Sequence, residues 1–213
     1  MARQEPPEPV RRRRFALSVG SLIVVCLIGA AVRPVSAQFL TRPTNLTYLA
    51  RRADIVVTGR VLEARYESHP NYPHVPTLRV TLEVERMLRG PEVKRLVFRE
   101  WLPPASFASA KRAYVVGQDL LLFLPLPSAF GLSSPIGYEQ GRFHIVRDRQ
   151  GRRMVVNEFG NAGLMKGVAE EAAKGGLLLD ARDRRIAALQ GGPILLEDFI
   201  SFLERFMTLS KTP

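Results

Sequence analysis

Apolar and polar residues alternate strictly in one stretch of the chain. Every second residue from 78 to 84 is apolar, with polar or charged residues between them. A period of two predicts a β-strand with one buried and one exposed face. The preceding segment, residues 54–66, is rich in β-branched residues and predicts a strand with a bulge or sharp bend at Gly59. The folded part of the chain is therefore expected to begin with two strands.

Three further regions predict strands. Residues 93–101 alternate more weakly, and residues 119–125 are too continuously apolar to have a solvent face, which predicts a central strand buried on both sides. Residues 142–147 and 153–157 flank a polar turn and predict a hairpin. Proline, serine and glycine in residues 125–137 predict a long loop. The strands number five to six in all.

The apolar period becomes helical beyond residue 157. Residues 164–174 and 180–190 predict two helices that end before glycines, and residues 196–209 predict a third with one apolar stripe. A short helix is predicted at 45–52, before the first strand. The predicted fold is therefore mainly β: a small antiparallel barrel of the OB type, with a short N-terminal helix and a C-terminal helical extension.

The N-terminus has the three-part pattern of a secretory signal peptide. Four arginines at 11–14 precede an apolar run at 15–32, and small residues stand shortly before Gln38. We therefore expect cleavage between Ala37 and Gln38, only transient membrane contact, and a secreted or periplasmic product. An uncleaved membrane anchor is the alternative, because the apolar run is near the minimum length for a transmembrane helix.

Composition and charge narrow the class of protein further. The 213 residues are 46% hydrophobic and 24% charged, which excludes a disordered, collagenous or polytopic membrane chain. Cleavage would lower the formal net charge from +11 to +7 and remove the only cysteine, Cys26. A cysteine-free mature chain suits the bacterial envelope or exterior. We expect a barrel domain at 38–157, after the signal peptide at 1–37, and the helical extension at 158–213.

Three segments resemble the netrin module, which tissue inhibitors of metalloproteinases contain. They are Ala-Asp-Ile-Val-Val-Thr-Gly-Arg-Val at 53–61, Leu-Glu-Val-Glu-Arg-Met-Leu-Arg-Gly at 82–90 and Val-Gly-Gln-Asp-Leu-Leu-Leu-Phe-Leu at 116–124. The resemblance implies an OB-like barrel and, at most, a binding role. Inhibitors of that family place an N-terminal cysteine against a protease zinc. The mature chain expected here begins at Gln38 and has no cysteine, so the inhibitory residues have no counterpart.

Candidates for metal or acid–base chemistry are few. His69 and His74 share a proline-containing segment between two predicted strands, but a closed zinc site needs four ligands and His144 lies on a different strand. A surface loop is the simpler interpretation. Glu83 and Glu85 share the exposed face of one strand, where alternating charges are common without catalysis. An exported hydrolase or a metal-dependent enzyme using His69 and His74 remains the alternative to a binding protein.

Positive charge is densest at the predicted hairpin. Its two strands and turn carry a candidate anion-binding site of four arginines: Arg147, Arg149, Arg152 and Arg153. Phe98 and Trp101 lie near basic residues and could stack on bases, but the export signal argues against a nucleic-acid partner. We therefore expect a non-enzymatic binding module without catalytic residues, metal or cofactor. Its expected partner is an anionic envelope polymer or a protein.

Overall fold

The computed structural model describes residues 44–102 and 114–209, which contain seven β-strands and four α-helices. The strands are β1 (Ile55–His69), β2 (Tyr72–Arg89), β3 (Arg95–Trp101), β4 (Asp119–Leu124), β5 (Arg142–Arg147), β6 (Arg153–Asn157) and β7 (Ile194–Leu195). The helices are α1 (Leu46–Arg52), α2 (Val168–Lys174), α3 (Ala181–Ala187) and α4 (Leu196–Leu209). The mainly β class and the β5–β6 hairpin are confirmed.

All seven strands lie in one antiparallel sheet with the order β3-β2-β1-β4-β5-β6-β7. The predicted closure into a barrel is not confirmed, because the sheet is open, with β3 and β7 at its edges over the described residues. The physical reason lies in β5. It pairs with β4 along one edge and with β6 along the other, so neither edge is left for β3.

The open sheet is nevertheless strongly coiled. Four strand spacings separate β2 from β6, which would place them about 19 Å apart in a flat sheet. The side chains of Glu85 on β2 and Arg153 on β6 instead form two hydrogen bonds of 2.6 and 2.5 Å. Near the middle of the loop between β4 and β5, the Ser133 amide donates to the Arg99 carbonyl of β3 at 2.8 Å. Side chains and a loop therefore bring together strands that backbone pairing does not join.

A bulge at Gly59 contributes to this curvature. The β1–β2 register shifts between Thr58 and Gly59, as the sequence predicted. A Cβ atom at residue 59 would collide with the carbonyl oxygen of Glu83 on β2. Glycine is therefore needed here because the two backbones approach closely, and not because of an unusual φ angle.

Two hydrophobic cores lie on opposite faces of the sheet. The first packs the helices against β1 and β4–β7, and the second joins β1–β4 with Leu102 and Tyr114. Strand β4 contributes to both: Leu121 and Phe123 lie in the first core, and Leu120 and Leu122 in the second. The prediction of a central strand buried on both sides is confirmed.

The helices were predicted with mixed success. Helix α1 begins after Asn45, whose side chain accepts a hydrogen bond from the Tyr48 amide, and α4 has the predicted bounds. Helix α2 starts four residues later than expected, because Gly167 adopts a left-handed φ of 74°. The apolar stripe of α4 is buried in the first core. Within the described residues, no helix has the length and apolarity to cross a membrane.

Candidate functional site

The four hairpin arginines lie together at one end of the sheet, and we call them the hairpin patch: Arg147, Arg149, Arg152 and Arg153. Arg147 and Arg153 face each other as the last pair of the β5–β6 register. Arg149 lies in the turn and Arg152 just before β6, and both are exposed. The antiparallel pairing therefore gathers four cations that the sequence spreads over seven residues.

Carboxylates neutralise part of the hairpin patch. Arg152 donates to Asp148 at 2.7 Å, and Arg153 makes its two hydrogen bonds with Glu85. These bonds raise the pKa of Arg153 above its ordinary value. Arg147 donates only to the Gly151 carbonyl, at 2.8 Å, and Arg149 makes no ion pair with another described residue. Arg147 and Arg149 are therefore the arginines most available to an anion.

A cleft of about 420 Å³ lies beside the patch, and we call it the charged cleft. It is lined by Arg60, Glu83, Val84, Glu85, Asp119, Arg147 and Arg153. Arg60 on β1 and Asp119 on β4 are register partners joined by hydrogen bonds of 2.8 and 3.1 Å. The hydrogen bond from Arg60 lowers the pKa of Asp119. Sequence reasoning missed this pair, because only the β1–β4 register brings residues so far apart in the chain together.

A buried polar cluster spans the second core, and it was also missed. Glu100 on β3, Arg142 on β5 and Tyr114 before β4 are 7%, 4% and 3% exposed. Burial raises the pKa of Glu100 to about 7, against the opposing effect of the Arg142 charge. The Arg142 guanidinium carbon lies 5.0 Å from the centroid of the Tyr114 ring. Among residues 44–102 and 114–209, the Tyr114 hydroxyl and Arg142 Nε find no hydrogen-bond partner of standard geometry.

The histidines do not form the metal site considered from the sequence. The predicted 69–74 loop is only a two-residue turn, because β2 already begins at Tyr72. His69 is buried, with Nε2 2.7 Å from the Phe130 carbonyl oxygen and Nδ1 accepting from the Asn71 amide at 3.1 Å. Both ring nitrogens are therefore occupied. Over residues 44–102 and 114–209, no group of three or more His, Cys, Asp or Glu side chains could hold a metal ion.

His144 is likewise engaged on both sides of its ring. Its Nδ1 lies 2.5 Å from the amide nitrogen of Gln118, and its Nε2 lies 2.8 Å from a Glu158 carboxylate oxygen. An amide nitrogen can only donate, so Nδ1 accepts and Nε2 donates to Glu158. The imidazole links the start of β4, strand β5 and the end of β6, which is a structural role.

The aromatic pair considered for base stacking is separated in the structure. Phe98 is 5% exposed and belongs to the second core, whereas Trp101 on the same strand is 47% exposed. Residues 98 and 101 differ by an odd number, so they point to opposite faces of β3. The hypothesis that the two rings form one stacking surface is therefore wrong, and of the two only the Trp101 ring is exposed to solvent.

Two other features of the sequence lie outside the described residues: the signal-peptide segment with Cys26, and the cleavage position between Ala37 and Gln38. Comparison of the chain with protein-family models, with curated proteins and with solved structures found no match. The residues themselves must therefore carry any argument about function.

Proposed function

We propose that this chain is a non-enzymatic binding module of the bacterial envelope or exterior, which binds an anionic polymer through the hairpin patch. The observation that carries the proposal is the state of Arg147 and Arg149. Both are exposed on the paired β5–β6 hairpin, and neither makes an ion pair with a described carboxylate. Guanidinium groups bind sulfate, phosphate and carboxylate groups through paired hydrogen bonds.

The charge of the patch supports a polymer rather than a small anion. Two carboxylates, Asp148 and Glu85, form ion pairs with its four arginines, which leaves a net charge of +2 on these six residues. A net charge this small in open solvent holds a single anion weakly. Repeated anionic groups along a polymer can contact the patch at several points at once, which adds their contributions.

The same proposal includes an OB-like arrangement of strands β1–β5. Their order, β3-β2-β1-β4-β5, is that of a five-stranded OB barrel opened between β3 and β5. Two features at this opening support that interpretation: the Arg142 charge on β5 acts on the pKa of Glu100 on β3, and the Ser133 amide donates to the Arg99 carbonyl. The netrin resemblance of residues 53–61, 82–90 and 116–124 falls on three of these strands or their ends.

We also propose that the chain is exported before it functions, because its N-terminus has the pattern of a signal peptide. We expect protein recovered from the periplasm or the medium to begin at Gln38, because Ala37 has the small side chain that signal peptidase requires. The intact mass of the recovered protein measures this directly. A mass that includes the apolar run at 15–32 would instead indicate a membrane-anchored protein.

Binding to heparin, a sulfated polymer, tests the central proposal. We expect the double substitution Arg147→Ser and Arg149→Ser to lower the slope of log affinity against log salt by about two, as two lost cation contacts predict. The melting temperature should change little, because exposed charges contribute little to folding. Heparin-affinity measurements at several salt concentrations, with a thermal melt of each variant, check both expectations.

A charge-matched control separates a local site from overall charge. Arg184 and Arg185 are exposed on α3, and changing both to serine removes the same net charge elsewhere on the surface. This control should keep nearly the affinity of the parent. Equal losses in both double variants would reject a site at the hairpin in favour of nonspecific attraction.

The alternative of a metal-dependent enzyme has less support. It requires His69 to offer a free ring nitrogen, and both nitrogens of His69 already have partners. His74 is exposed on β2 and has no matching ligand cluster among the described residues.

A further inference from the structure

The charged cleft has two strand walls and a floor. Glu83 and Glu85 on β2 form one wall, and Arg147 and Arg153 of the hairpin form the other. The floor is the Arg60–Asp119 pair of β1 and β4. The Arg153–Glu85 salt bridge joins the two walls directly. The cleft is thus a product of the coiling of the sheet.

The charges of the cleft balance. Three arginines and three carboxylates line it, so the cleft taken by itself has no net charge that would select a small anion or a small cation. Two of the opposite-charge pairs are already joined inside the protein. Glu83 and Arg147 remain, one on each wall, and neither makes an ion pair with another described residue.

We propose that the charged cleft binds a small zwitterionic ligand, a short peptide with a free ammonium and a free carboxylate group. The ligand carboxylate contacts the Arg147 guanidinium, and the ligand ammonium contacts the Glu83 carboxylate. A ligand that carries both charges satisfies both walls at once, whereas a ligand with one charge leaves one wall unsatisfied.

A neighbouring groove favours a peptide over a single amino acid. It has a volume of about 410 Å³ and shares Val84 and Glu85 with the charged cleft. Met87 and Val93 give it apolar lining, and Glu92 and Lys94 add one charge of each sign. A ligand that enters the cleft therefore finds space for further residues beyond Glu85.

Three dipeptides test the ligand class by calorimetric titration of the mature chain. L-alanyl-L-alanine carries both charges, N-acetyl-L-alanyl-L-alanine lacks the ammonium group, and L-alanyl-L-alanine amide lacks the carboxylate. We expect the loss of either charge to raise the Kd about tenfold or more, as the loss of one charge-assisted hydrogen bond predicts. Equal affinity for all three dipeptides, or no binding of L-alanyl-L-alanine, would overturn the proposal.

Two variants then locate the site. Glu83→Gln should raise the Kd for L-alanyl-L-alanine about tenfold while leaving the affinity for the amine-blocked dipeptide unchanged. Glu170→Gln, on the exposed surface of α2, is the matched control and should bind all three like the parent. An unaffected Glu83→Gln variant would show that the peptide binds elsewhere.

The same variants distinguish this inference from the proposed function. Glu83 does not belong to the hairpin patch, so Glu83→Gln should keep its heparin affinity. Loss of heparin binding in Arg147→Ser/Arg149→Ser tests the polymer site, and loss of dipeptide binding in Glu83→Gln tests the cleft. Either proposal can therefore fail while the other stands.

Discussion

Replacing Gly59 with alanine should lower the free energy of unfolding by about 3 kcal/mol, the upper part of the usual range for overpacking. The added Cβ would collide with the carbonyl oxygen of Glu83, which belongs to the backbone of a paired strand and cannot rotate away. The bulge must then shift and disturb the β1–β2 register around it. Urea denaturation of the variant and the parent measures the difference.

Gly151→Ala is the control for this prediction. Gly151 lies in the β5–β6 turn with a φ of 78°, and a Cβ atom there would meet nothing within 4 Å. Its substitution costs only the left-handed backbone conformation, about 1 kcal/mol. If Gly59→Ala were no more destabilising than Gly151→Ala, the claim that the β1 and β2 backbones approach too closely for a side chain at residue 59 would be wrong.

Stability should fall between about pH 4.5 and pH 7 because of Glu100. Burial raises the pKa of Glu100 to about 7 in the folded state, from an ordinary value of 4.5. The folded state therefore binds the carboxyl proton of Glu100 more tightly than the unfolded state does. The stabilisation that this proton gives is complete below pH 4.5 and is lost as the pH rises through 7. A shift of this size corresponds to about 3 kcal/mol.

Glu100→Gln isolates this effect, because glutamine does not titrate. The difference in unfolding free energy between variant and parent should change by about 3 kcal/mol between pH 4.5 and pH 8, in favour of the variant at the higher pH. The charged and polar groups that face Glu100 are Arg142, Tyr114, Glu139 and Ser134. They are common to both proteins, so their contributions largely cancel.

Glu139→Gln provides the comparison for the pH experiment. The Glu139 side chain is 43% exposed and lies 3.8 Å from Arg142, so it is near the cluster without being buried in it. Its variant should keep the pH slope of the parent. Parallel stability curves for Glu100→Gln and the parent would mean that Glu100 is ionised throughout this range.

Local patterns predicted the individual strands well. The alternation at 78–84 places Val80 and Leu82 in the second core with no exposed area, and the continuous apolar run of β4 is buried on both faces. A bulge or bend was predicted at Gly59, and the register shift there confirms an irregularity of the bulge type. These features depend on neighbours close in the chain, and so the sequence contains them directly.

Closure of the sheet could not be predicted in the same way. The pairing of β6 with the second edge of β5 prevents a β3–β5 ladder, and β7, which extends the sheet further, has only two residues. Apolar periodicity in β5 is the same for an open sheet and a closed barrel. Strand order depends on which edges pair, and no single segment encodes that choice.

The candidate sites differ in the same way: one is made of residues close in sequence, and the others are assembled by strand pairing. The four hairpin arginines are close in sequence, so a hairpin prediction was enough to place them together. The charged cleft and the buried cluster each join residues from three or more strands or loops. Glu100, for example, has the sequence context of an exposed edge residue, and only the folded structure shows that it is buried, where the Arg142 charge of β5 acts on its pKa.

Chemical-shift mapping of the backbone amides during titration with a heparin oligosaccharide tests the central proposal most directly. We predict that the largest shifts fall on residues 147–153, and that they decrease steeply as salt is raised from 0.05 to about 0.3 M, where the screening length shortens to a few ångströms. Shifts that are largest elsewhere, for example around the exposed arginines of α3, or the absence of any shift at 147–153, would contradict a binding site at the hairpin patch.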